Sequence, residues 1–495
     1  MSWKEREQAA IERFQVLSQS ESIDPTTAEG RRKLRRAVRL QWRRHDRPNG
    51  EQRYLLTAPP LARLESTTDD NSVPVLTREM MRFVLSYAVD HRFEIRHLEI
   101  EDAFKYAELD VEAYAYSEAK PAGIIHPVVA ENKPVSLAKI NKAIMGWAQA
   151  VPLWYAYFYK SLEKIGLITT KYAKGVYTHF GEGTIQLIVA VNNDQLLVAS
   201  RDDSSYTWFV DQLRQATFEV GEYGRPTRFM NIDFTYPSDG VVHLCDRPQV
   251  AAFIKKFNID PSRGPRLEEP IPAQFDWSRF DDKQKLCENM TANQIARGKT
   301  WMEVRLNELA EISHSTRHDI NEVVAKLFSF SDHPHLLIQR MVQRVMLFVA
   351  QTPDHGMDFK PRKRRSKTSR TLTCKSGTFN IAGVVSASVY SAGKMWWKCL
   401  LYNETKSEID NHLDILSEAV TWVLDTAAVL RFFESGNVKA SPSSEVSIRL
   451  GSNELVSALY HKCYTSPDPS YMDTFNQFCR VIETFHWLVC DIGAP

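Results

Sequence analysis

The sequence predicts an α+β protein of more than one domain, and three observations support this prediction. The chain has 495 residues, enough to bury more than one hydrophobic core. Hydrophobic residues make up 43% of it and charged residues 25%, which is typical of a soluble globular protein. Segments with helical periodicity also alternate with segments of strand-like periodicity. Length, composition and periodicity therefore predict a soluble mixed α and β protein of two or three domains.

The N-terminal part begins with about thirty residues that have the character of a polar leader with one weak amphipathic helix. The first strong helical pattern spans Leu76 to Val89, after Pro74. Residues Phe93 to Phe104 then alternate between apolar and polar, which is typical of a half-buried strand. A second long helical pattern runs from Ala138 to Leu167.

The clearest local signal is the segment IQLIVAVNNDQLLVAS, residues 185–200. Two apolar, β-rich runs flank Asn192, Asn193 and Asp194, and these residue types tolerate positive φ. The segment therefore predicts a β-hairpin with a tight turn. A helix over Ser205–Ala216 and a strand-turn-strand over Phe229–Leu244 complete this α+β block.

The rest of the chain follows a linker rich in Gly and Pro at residues 264–272. The pattern is helical from about Asn289 to Thr352, and a basic stretch at residues 360–370 marks the next boundary. Strands are predicted within Leu372–Trp397 and at residues 447–450. Helices are predicted over about Ile409–Phe433 and from about residue 453. This order is typical of an α/β domain.

From about Arg36 to the end of the chain, the order of elements and their residues resembles the polymerase of copia-type LTR retrotransposons. Five segments carry the resemblance. They are HLEIEDAFKYAEL for the family strand Q-x-D-V-x-x-A-F-L-x-G-x-L, IMGWAQAVPLWY for L-Y-G-L-K-Q-A-P-R-x-W-Y, LIVAVNNDQLLVAS for the Y-V-D-D hairpin, FMNIDF for F-L-G-I-E-I, and STRHDINEVVAKLFSFSDHPH for the T-R-P-D-I segment with its helix.

The resemblance implies a right-hand, reverse-transcriptase-like fold with fingers, a ferredoxin-like palm and a helical thumb, followed by a ribonuclease-H-like α/β domain. The domain boundaries follow from the same alignment. They are a polar leader at 1–30, fingers and palm at 31–262, a linker at 263–288, a helical thumb or connection at 289–358, a basic linker at 359–371 and the ribonuclease-H-like domain at 372–495.

The palm departs from the family pattern at its catalytic acids. The resemblance implies two Mg²⁺ ions held by carboxylates of the palm strand and the hairpin turn. Glu99 replaces the strand aspartate, and its extra methylene displaces the carboxylate by about 1 Å, beyond the roughly 0.5 Å that a catalytic site tolerates. The turn aspartates become either Asn192 and Asn193, followed by a two-residue insertion, or Asp194 and Gln195. Both alignments stay open, and neither leaves two charges.

The nucleotide-binding and nuclease patterns are also depleted. Leu55 and Thr57 replace the lysine and arginine that the family directs at the triphosphate, while Gln149 matches a family residue near the nucleotide. In the ribonuclease-H-like part, the three acidic positions of the family are occupied by Ser376, Asp410 and Gly451. One acid of three does not make a two-metal site. We therefore expect no intact catalytic site and no bound metal or cofactor, although the ancestral fold would use Mg²⁺.

Two basic clusters are candidates for contact with nucleic-acid phosphates or for nuclear import signals. Solvated charged surface is an equal alternative for each of them. Their candidate binding residues are Arg31, Arg32, Lys33, Arg35, Arg36, Arg43 and Arg44 in the first cluster, and Arg362, Lys363, Arg364 and Arg365 in the second.

Other features exclude several classes of protein. The seven cysteines are scattered, which argues against a disulfide framework and a zinc site. His314 and His318 have the spacing of one helix face, but no third metal ligand accompanies them. No apolar run is long enough to cross a membrane, and the N-terminus lacks a secretory signal, so we expect an intracellular protein, nuclear or cytoplasmic.

These observations leave three hypotheses for function. The first is a catalytically inactive scaffold that binds RNA, DNA or an RNA–DNA hybrid. The second is a protein-interaction module or an unselected relic, and the third is a residual RNA-directed DNA polymerase that uses Glu99 and Asp194. Two histories fit the sequence, a decaying element fragment and a host protein that kept the fold without the chemistry.

Overall fold

The computed structural model describes residues 13, 15–46, 52–58, 75–116, 135–147, 149–170, 173–272, 274–280 and 287–361, together with five C-terminal strands. Within these ranges, no helix is long and apolar enough to span a lipid bilayer. The α-helices there are α1 (Ala28–Arg35), α2 (Arg78–Asp90), α3 (Ala150–Lys164), α4 (Asp203–Gln215), α5 (Arg247–Phe257), α6 (Ala292–Ser315), α7 (Asn321–Phe328) and α8 (Leu336–Gln351).

The central sheet is antiparallel and contains five strands. In sheet order they are β11 (Val220–Glu222), β5 (Glu94–Ile100), β10 (Gln195–Ser200), β9 (Thr184–Asn192) and β8 (Val176–Gly181). Alternate residues of β5, β9 and β10 enter one apolar core together with the buried aromatic residues of α3 and α4. The predicted hairpin is confirmed, with Asn193 and Asp194 between the paired residues Asn192 and Gln195.

The fingers contain a four-stranded sheet and a separate hairpin. The sheet order is β1 (Glu21–Ile23), β7 (Val135–Lys139), β6 (Tyr114–Tyr116) and β2 (Ala37–Val38), and the hairpin consists of β3 (Gln41–Asp46) and β4 (Gln52–Thr57). Val16 and Leu17 are buried in an apolar cluster with Ile140 and Trp147. Residues 16–23, which the sequence assigns to the leader, therefore pack as part of the fingers.

The thumb is built from α6, α7 and α8, whose buried residues form one core with Val250 and Phe253 of α5. Ile271 and Phe280, from the segment predicted as a linker, belong to the same core. A four-stranded sheet combines three strands that precede the thumb helices in the chain with one that follows them. Its strands are β12 (Arg228–Phe229), β13 (Ile232–Thr235), β14 (Val242–Cys245) and β15 (Met357–Phe359).

The C-terminal strands form one mixed sheet. Its order is β18 (Lys394–Tyr402), β17 (Val384–Ser391), β16 (Leu372–Thr378), β19 (Val446–Leu450) and β20 (Leu488–Asp491). The first three strands are antiparallel, whereas β16, β19 and β20 run parallel to one another. The helices predicted over Ile409–Phe433 and from residue 453 lie outside the described residues.

Two predicted elements have the wrong extent. The helix predicted from Ala138 begins only at Ala150, because residues up to Lys139 form β7 and Gly146 adopts φ +102°. A Cβ at Gly146 would lie 2.2 Å from the carbonyl oxygen of Ala58, so glycine permits this close approach. The predicted strand over Phe93–Phe104 stops at Ile100, and Asp102 adopts φ +50° before a short 3₁₀ helix.

Candidate palm site

The candidate site is one row of side chains across the central sheet, at the end that carries the hairpin turn. Asn192 pairs with Gln195, Gln195 pairs with Glu99, and Glu99 pairs with Gly221. Residues directly opposite each other on antiparallel strands share one face of the sheet, with Cβ atoms about 5 Å apart. The side chain opposite Glu99 is therefore the amide of Gln195, and the row holds one carboxylate.

Glu99 is buried and hydrogen-bonded. Only 1% of its surface is exposed, and the hydroxyl of Tyr223 donates to its Oε2 atom at 3.2 Å. A Cβ at Gly221 would lie 3.0 Å from that hydroxyl oxygen, so the glycine leaves room for the tyrosine beside Glu99. Sequence analysis missed Tyr223, because it lies 124 residues away in the chain.

His97 lies two residues before Glu99 on the same face of β5. It is 1% exposed, and its Nε2 atom has no hydrogen-bond partner. Its ring lies 5.4 Å from that of Tyr223 and 6.0 Å from that of Phe229. Burial lowers the pKa of His97 to about 4, so the ring is neutral near pH 7.

The hairpin turn is held by backbone contacts. Asn193 is the first turn residue and has φ +56°, a conformation that asparagine tolerates better than most residues. Its N–H donates to the hydroxyl of Tyr155 at 2.7 Å, and its carbonyl accepts from Nε1 of Trp154 at 2.9 Å. The carbonyl of Asp194 accepts from the N–H of Ile100 at 2.8 Å. The turn is therefore fixed against both α3 and β5.

Charged residues beyond the end of β5 pair with one another. Lys105 is 7% exposed, and its Nζ atom lies 3.3 Å from Asp102 and 3.1 Å from Glu219. Arg13 also contacts Glu219. Asp102, which follows the strand, therefore has a lysine partner. Lys105 stands where the quoted family pattern has leucine.

The row does not fit the two Mg²⁺ ions that the family resemblance implies. Mg²⁺ is bound by oxygen ligands in near-ideal octahedral geometry, and carboxylates supply its counter-charge. The row offers one buried carboxylate and two amides. Across the described part of the chain, no group of three or more His, Cys, Asp or Glu side chains could hold a metal ion.

The predicted nucleotide-side residues belong to elements outside the row, the N-terminal end of α3 and the strand β4. Gln149 is partly buried and immediately precedes α3, without capping it through its side chain. Thr57 is 5% exposed, and its hydroxyl donates to the carbonyl of Gln41 at 3.0 Å. Thr57 thus serves the β3–β4 hairpin. The side chain of Leu55 lies outside the described residues.

The first basic cluster is divided between α1 and β3. Arg32 and Arg36 both pair with Glu112, at 3.1 Å and 2.9 Å. Lys33 pairs with Glu21 and Glu29, at 3.4 Å and 3.3 Å. These three cations therefore contribute to internal ion pairs.

The remaining cations of that cluster are at the surface or outside the description. Arg31, Arg35 and Arg43 are exposed, although Arg31 also donates to the carbonyl of Thr26. Arg44 lies in β3, and its side chain is outside the described residues. The second cluster, comprising Arg362, Lys363, Arg364 and Arg365, lies entirely outside them.

The suggestion that His314 and His318 share a helix face is wrong. The helix α6 ends at Ser315, and His318 begins a separate 3₁₀ turn. The chain leaves α6 at Thr316, so the i, i+4 geometry that would bring two imidazoles together is lost.

The T-R-x-D segment contains a buried ion pair that sequence analysis did not identify. Arg317 is 1% exposed and donates to both carboxylate oxygens of Asp319, at 2.9 Å and 2.8 Å. It also donates to the carbonyl and the hydroxyl of Thr352, both at 3.0 Å. This segment therefore fixes the end of α8 to the turn that precedes α7.

The predicted nuclease positions are only partly described. Ser376 lies in β16 and pairs with Ala387 of β17. Asp410 and Gly451 lie outside the described residues. The structure therefore describes one of the three positions, Ser376.

Comparison with protein families agrees with this topology. Residues 61–267 match the family described as "Reverse transcriptase (RNA-dependent DNA polymerase)". The match spans β5, α3 and the β9–β10 hairpin, and so includes the row around Glu99. Residues 61–267 are therefore similar to a copia-type reverse-transcriptase region.

Curated relatives of the reverse-transcriptase region come from plant transposons. The chain is 25% identical over 291 residues to the retrovirus-related Pol polyproteins from transposons RE1 and RE2 of Arabidopsis thaliana. The aligned part covers 58% of this chain and only 18% of each polyprotein. A solved foamy viral protease-reverse transcriptase in complex with ds DNA is 10% identical, with a TM-score of 0.47, over 100% of this chain and 70% of that one.

Proposed function

We propose that the protein is a non-catalytic reverse-transcriptase-like scaffold that binds nucleic acid. The loss of catalysis is supported by the row of side chains at the hairpin end of the palm, Asn192, Gln195, Glu99 and Gly221. Its single carboxylate, Glu99, is 1% exposed and is bonded to Tyr223. A polymerase of this type needs enough negative charge to hold two divalent ions.

Electrostatics supports the proposal. Gln195, opposite Glu99, carries no charge, and an amide oxygen ligates a metal without neutralising it. The neighbouring acids Asp102 and Glu219 already pair with Lys105. Even with Asp194 of the neighbouring turn, two divalent ions at the row would therefore lack the anionic ligands that offset their loss of hydration.

Primer extension tests the loss of catalysis. The full-length protein is incubated with an RNA template, a DNA primer, all four deoxynucleotides and either Mg²⁺ or Mn²⁺. We expect no extended product. Extension that disappears in Glu99→Ala, but persists in Glu108→Ala at an acid whose side chain is 87% exposed, would establish a residual polymerase instead.

The nucleic-acid part of the proposal is supported by exposed cations of the first basic cluster, Arg31, Arg35 and Arg43. Fluorescence anisotropy with a labelled RNA–DNA hybrid, and with RNA and DNA duplexes, measures affinity as salt increases. Each phosphate contact contributes about −0.9 to the slope of log K against log salt for duplex DNA. Neutralising the three arginines to glutamine should flatten that slope by up to about 3 units. No binding at low salt would refute this part.

The ion pairs of Arg32 and Arg36 with Glu112 favour a second candidate, a protein-interaction module or a relic without a selected ligand. In that case the basic residues form ion pairs within the protein or are exposed to solvent, and they do not contact phosphate. Arg32→Gln/Arg36→Gln is thus the matched control for the triple variant. If the exposed arginines contact phosphate, this double variant should change the affinity for nucleic acid little. Equal losses of affinity in the double and triple variants would favour the second candidate.

We further propose that residues 372–495 form the ribonuclease-H-like domain implied by the resemblance, without its nuclease activity. The mixed order of β16 to β20 supports an α/β domain. Ser376 and Gly451 stand where the family has acids. We expect a labelled RNA–DNA hybrid to stay intact in Mg²⁺ and in Mn²⁺. If the unmodified protein cleaves the hybrid and the Asp410→Asn variant does not, the proposal is refuted. Equal cleavage by both purified proteins would indicate a contaminating nuclease.

A further inference from the structure

The C-terminal end of the thumb helix α6 is bonded to a buried arginine of α2, a helix that packs on the central sheet of the palm. An α-helix leaves the carbonyls of its last turn without partners inside the helix. At the end of α6, the carbonyls of His314 and Ser315 both accept hydrogen bonds from Nη2 of Arg82. Arg82 and Ser315 are 233 residues apart in the chain. The contact therefore joins the palm to the thumb.

The guanidinium of Arg82 is buried against the negative end of α6. Arg82 is 6% exposed, and burial lowers its pKa, although the charge of the nearby Glu79 acts in the opposite direction. The carbonyls at a helix C-terminus carry about half a negative charge, which favours a cation there. Among the described residues, Nε of Arg82 has no hydrogen-bond partner. If α6 moved away, the buried cation would lose its two carbonyl acceptors, so the contact opposes displacement of the helix.

Ser315 is held from a second side by Asp246, the N-cap residue of α5. The hydroxyl of Ser315 donates to Oδ2 of Asp246 at 2.5 Å, while Oδ1 of Asp246 accepts from the N–H of Gln249 at 3.1 Å. Ser315 is 0% exposed and Asp246 is 3% exposed. The last residue of α6 is therefore bonded both to a cation of α2 and to an anion at the start of α5.

The anchored residue lies at one end of a long helix, so a small rotation there is amplified at the other end. Near its N-terminal end, α6 packs closely on the segment before α8, because a Cβ at Gly298 would lie 2.7 Å from Cβ of Pro334. Gly298 and Ser315 are separated by about 26 Å along the helix, at its rise of about 1.5 Å per residue. A rotation of about 10° at the anchor would therefore move the far end of the thumb by roughly 4–5 Å.

We propose that Arg82 is a positioning residue that fixes the angle between the thumb and the palm by holding the end of α6. The apolar core of the thumb is built from residues of α5, α6, α7 and α8, so replacing Arg82 leaves that core in place. The segment after α8 has its own attachment to β14, where Nδ1 of His243 lies 2.7 Å from Asp358. Loss of the Arg82 contact should therefore release the thumb as a folded unit. The proposal depends neither on nucleic-acid binding nor on the loss of catalysis.

Pulsed electron paramagnetic resonance measures the distance between palm and thumb in the full-length protein. Spin labels are attached to p-acetylphenylalanine in place of Tyr157 of α3 and Leu337 of α8, whose exposed fractions are 39% and 45%. This chemistry leaves the native cysteines unlabelled. We expect one narrow distribution of distances with native Arg82. Arg82→Met should broaden or shift it by at least about 4 Å, the displacement that a 10° rotation of α6 produces.

Arg305→Met is the matched control for this experiment. Arg305 is also partly buried and also donates to a helix carbonyl, that of Trp301 at 3.1 Å, but both residues lie within α6. This variant should leave the distribution of distances unchanged. Equal broadening in the two variants, or an unchanged distribution in Arg82→Met, would overturn the proposal.

Hydrogen exchange distinguishes release of the thumb from its unfolding. In Arg82→Met, the core amides of α7 and α8 should exchange within about threefold of their rate in the unmodified protein. Arg82→Lys is a second variant, because it keeps a cation but lacks the planar guanidinium, and it should give a distribution of intermediate breadth. A broader distribution than that of Arg82→Met would contradict the role of the cation. Loss of protection of the core amides in both variants would show that the contact only stabilises the fold, and would overturn the positioning role.

Discussion

Replacing Asp319 with asparagine should destabilise the thumb strongly, because it leaves a buried guanidinium without its counter-charge. Arg317 is 1% exposed, and two of its four hydrogen bonds go to the Asp319 carboxylate. Breaking a buried ion pair by removing one partner costs about 3–5 kcal/mol. The Asp319 side chain is 38% exposed and the two bonds to Thr352 remain, so we expect about 2–3 kcal/mol here.

Hydrogen exchange measures this effect locally in a chain with more than one core. A loss of 2–3 kcal/mol corresponds to about 30- to 150-fold faster exchange of the core amides of α7 and α8, if they exchange through opening of the thumb. Asp332→Asn is the control, since Asp332 pairs with Lys299 where both side chains are at least one-third exposed. That variant should cost less than about 1 kcal/mol. Similar exchange in both variants would refute the reasoning.

The same ion pair predicts a pH dependence. Burial raises the pKa of Asp319, but the hydrogen bonds and charge of Arg317 outweigh it, and the net pKa lies below the ordinary value. The ionised group therefore stabilises the fold above the pKa of an unfolded aspartate, about 3.9. This contribution is lost as the pH falls through the lower, folded pKa. The difference between the unmodified protein and Asp319→Asn should shrink below pH ~4.

Three further predictions concern separate elements. Gly146→Ala should destabilise the fingers by more than ~1 kcal/mol in urea unfolding, because φ +102° and the Ala58 carbonyl oppose a Cβ; an unchanged midpoint would contradict this. Thr291→Ala removes the capping box of α6 and should cost about 1 kcal/mol, while Thr291→Ser should restore most of it. Because the pKa of His97 is about 4 in the folded protein and about 6.5 unfolded, stability should fall as the pH drops from ~6.5 towards 4. His97→Leu should lose this part of the pH dependence, as thermal melts across that range will report.

Local patterns predicted the elements whose signals lie within a few residues. The β9–β10 hairpin follows from its two apolar runs and the Asn and Asp residues between them, and α2 follows from helical periodicity after Pro74. The segment before α3 was mispredicted because its apolar residues fit a helix by periodicity alone. Its actual conformation depends on the approach of Gly146 to Ala58, and the two residues are far apart in sequence.

In the candidate site too, features with a local sequence signal were predicted, and features that depend on distant contacts were not. The motif resemblance located Glu99 and the turn, because both belong to short, recognisable segments. The contact of Tyr223 with Glu99 and the ion pair of Lys105 with Glu219 each join residues more than 100 positions apart, which one sequence does not reveal. The pairing of Arg317 with Asp319 had a local signal, opposite charges two residues apart in a turn, but its burial depends on Thr352 of the thumb.

The packing of residues 16–23 on the fingers has a consequence for how the polymerase-like part can be isolated. A fragment cut at residue 61, where the family match begins, would lose β1 and β2 from both edges of their sheet. It would also uncover the apolar surface of Ile140 and Trp147 that Val16 and Leu17 now shield from water. Exposed strand edges beside apolar surface promote intermolecular pairing, so such a fragment should aggregate where a longer one stays monodisperse.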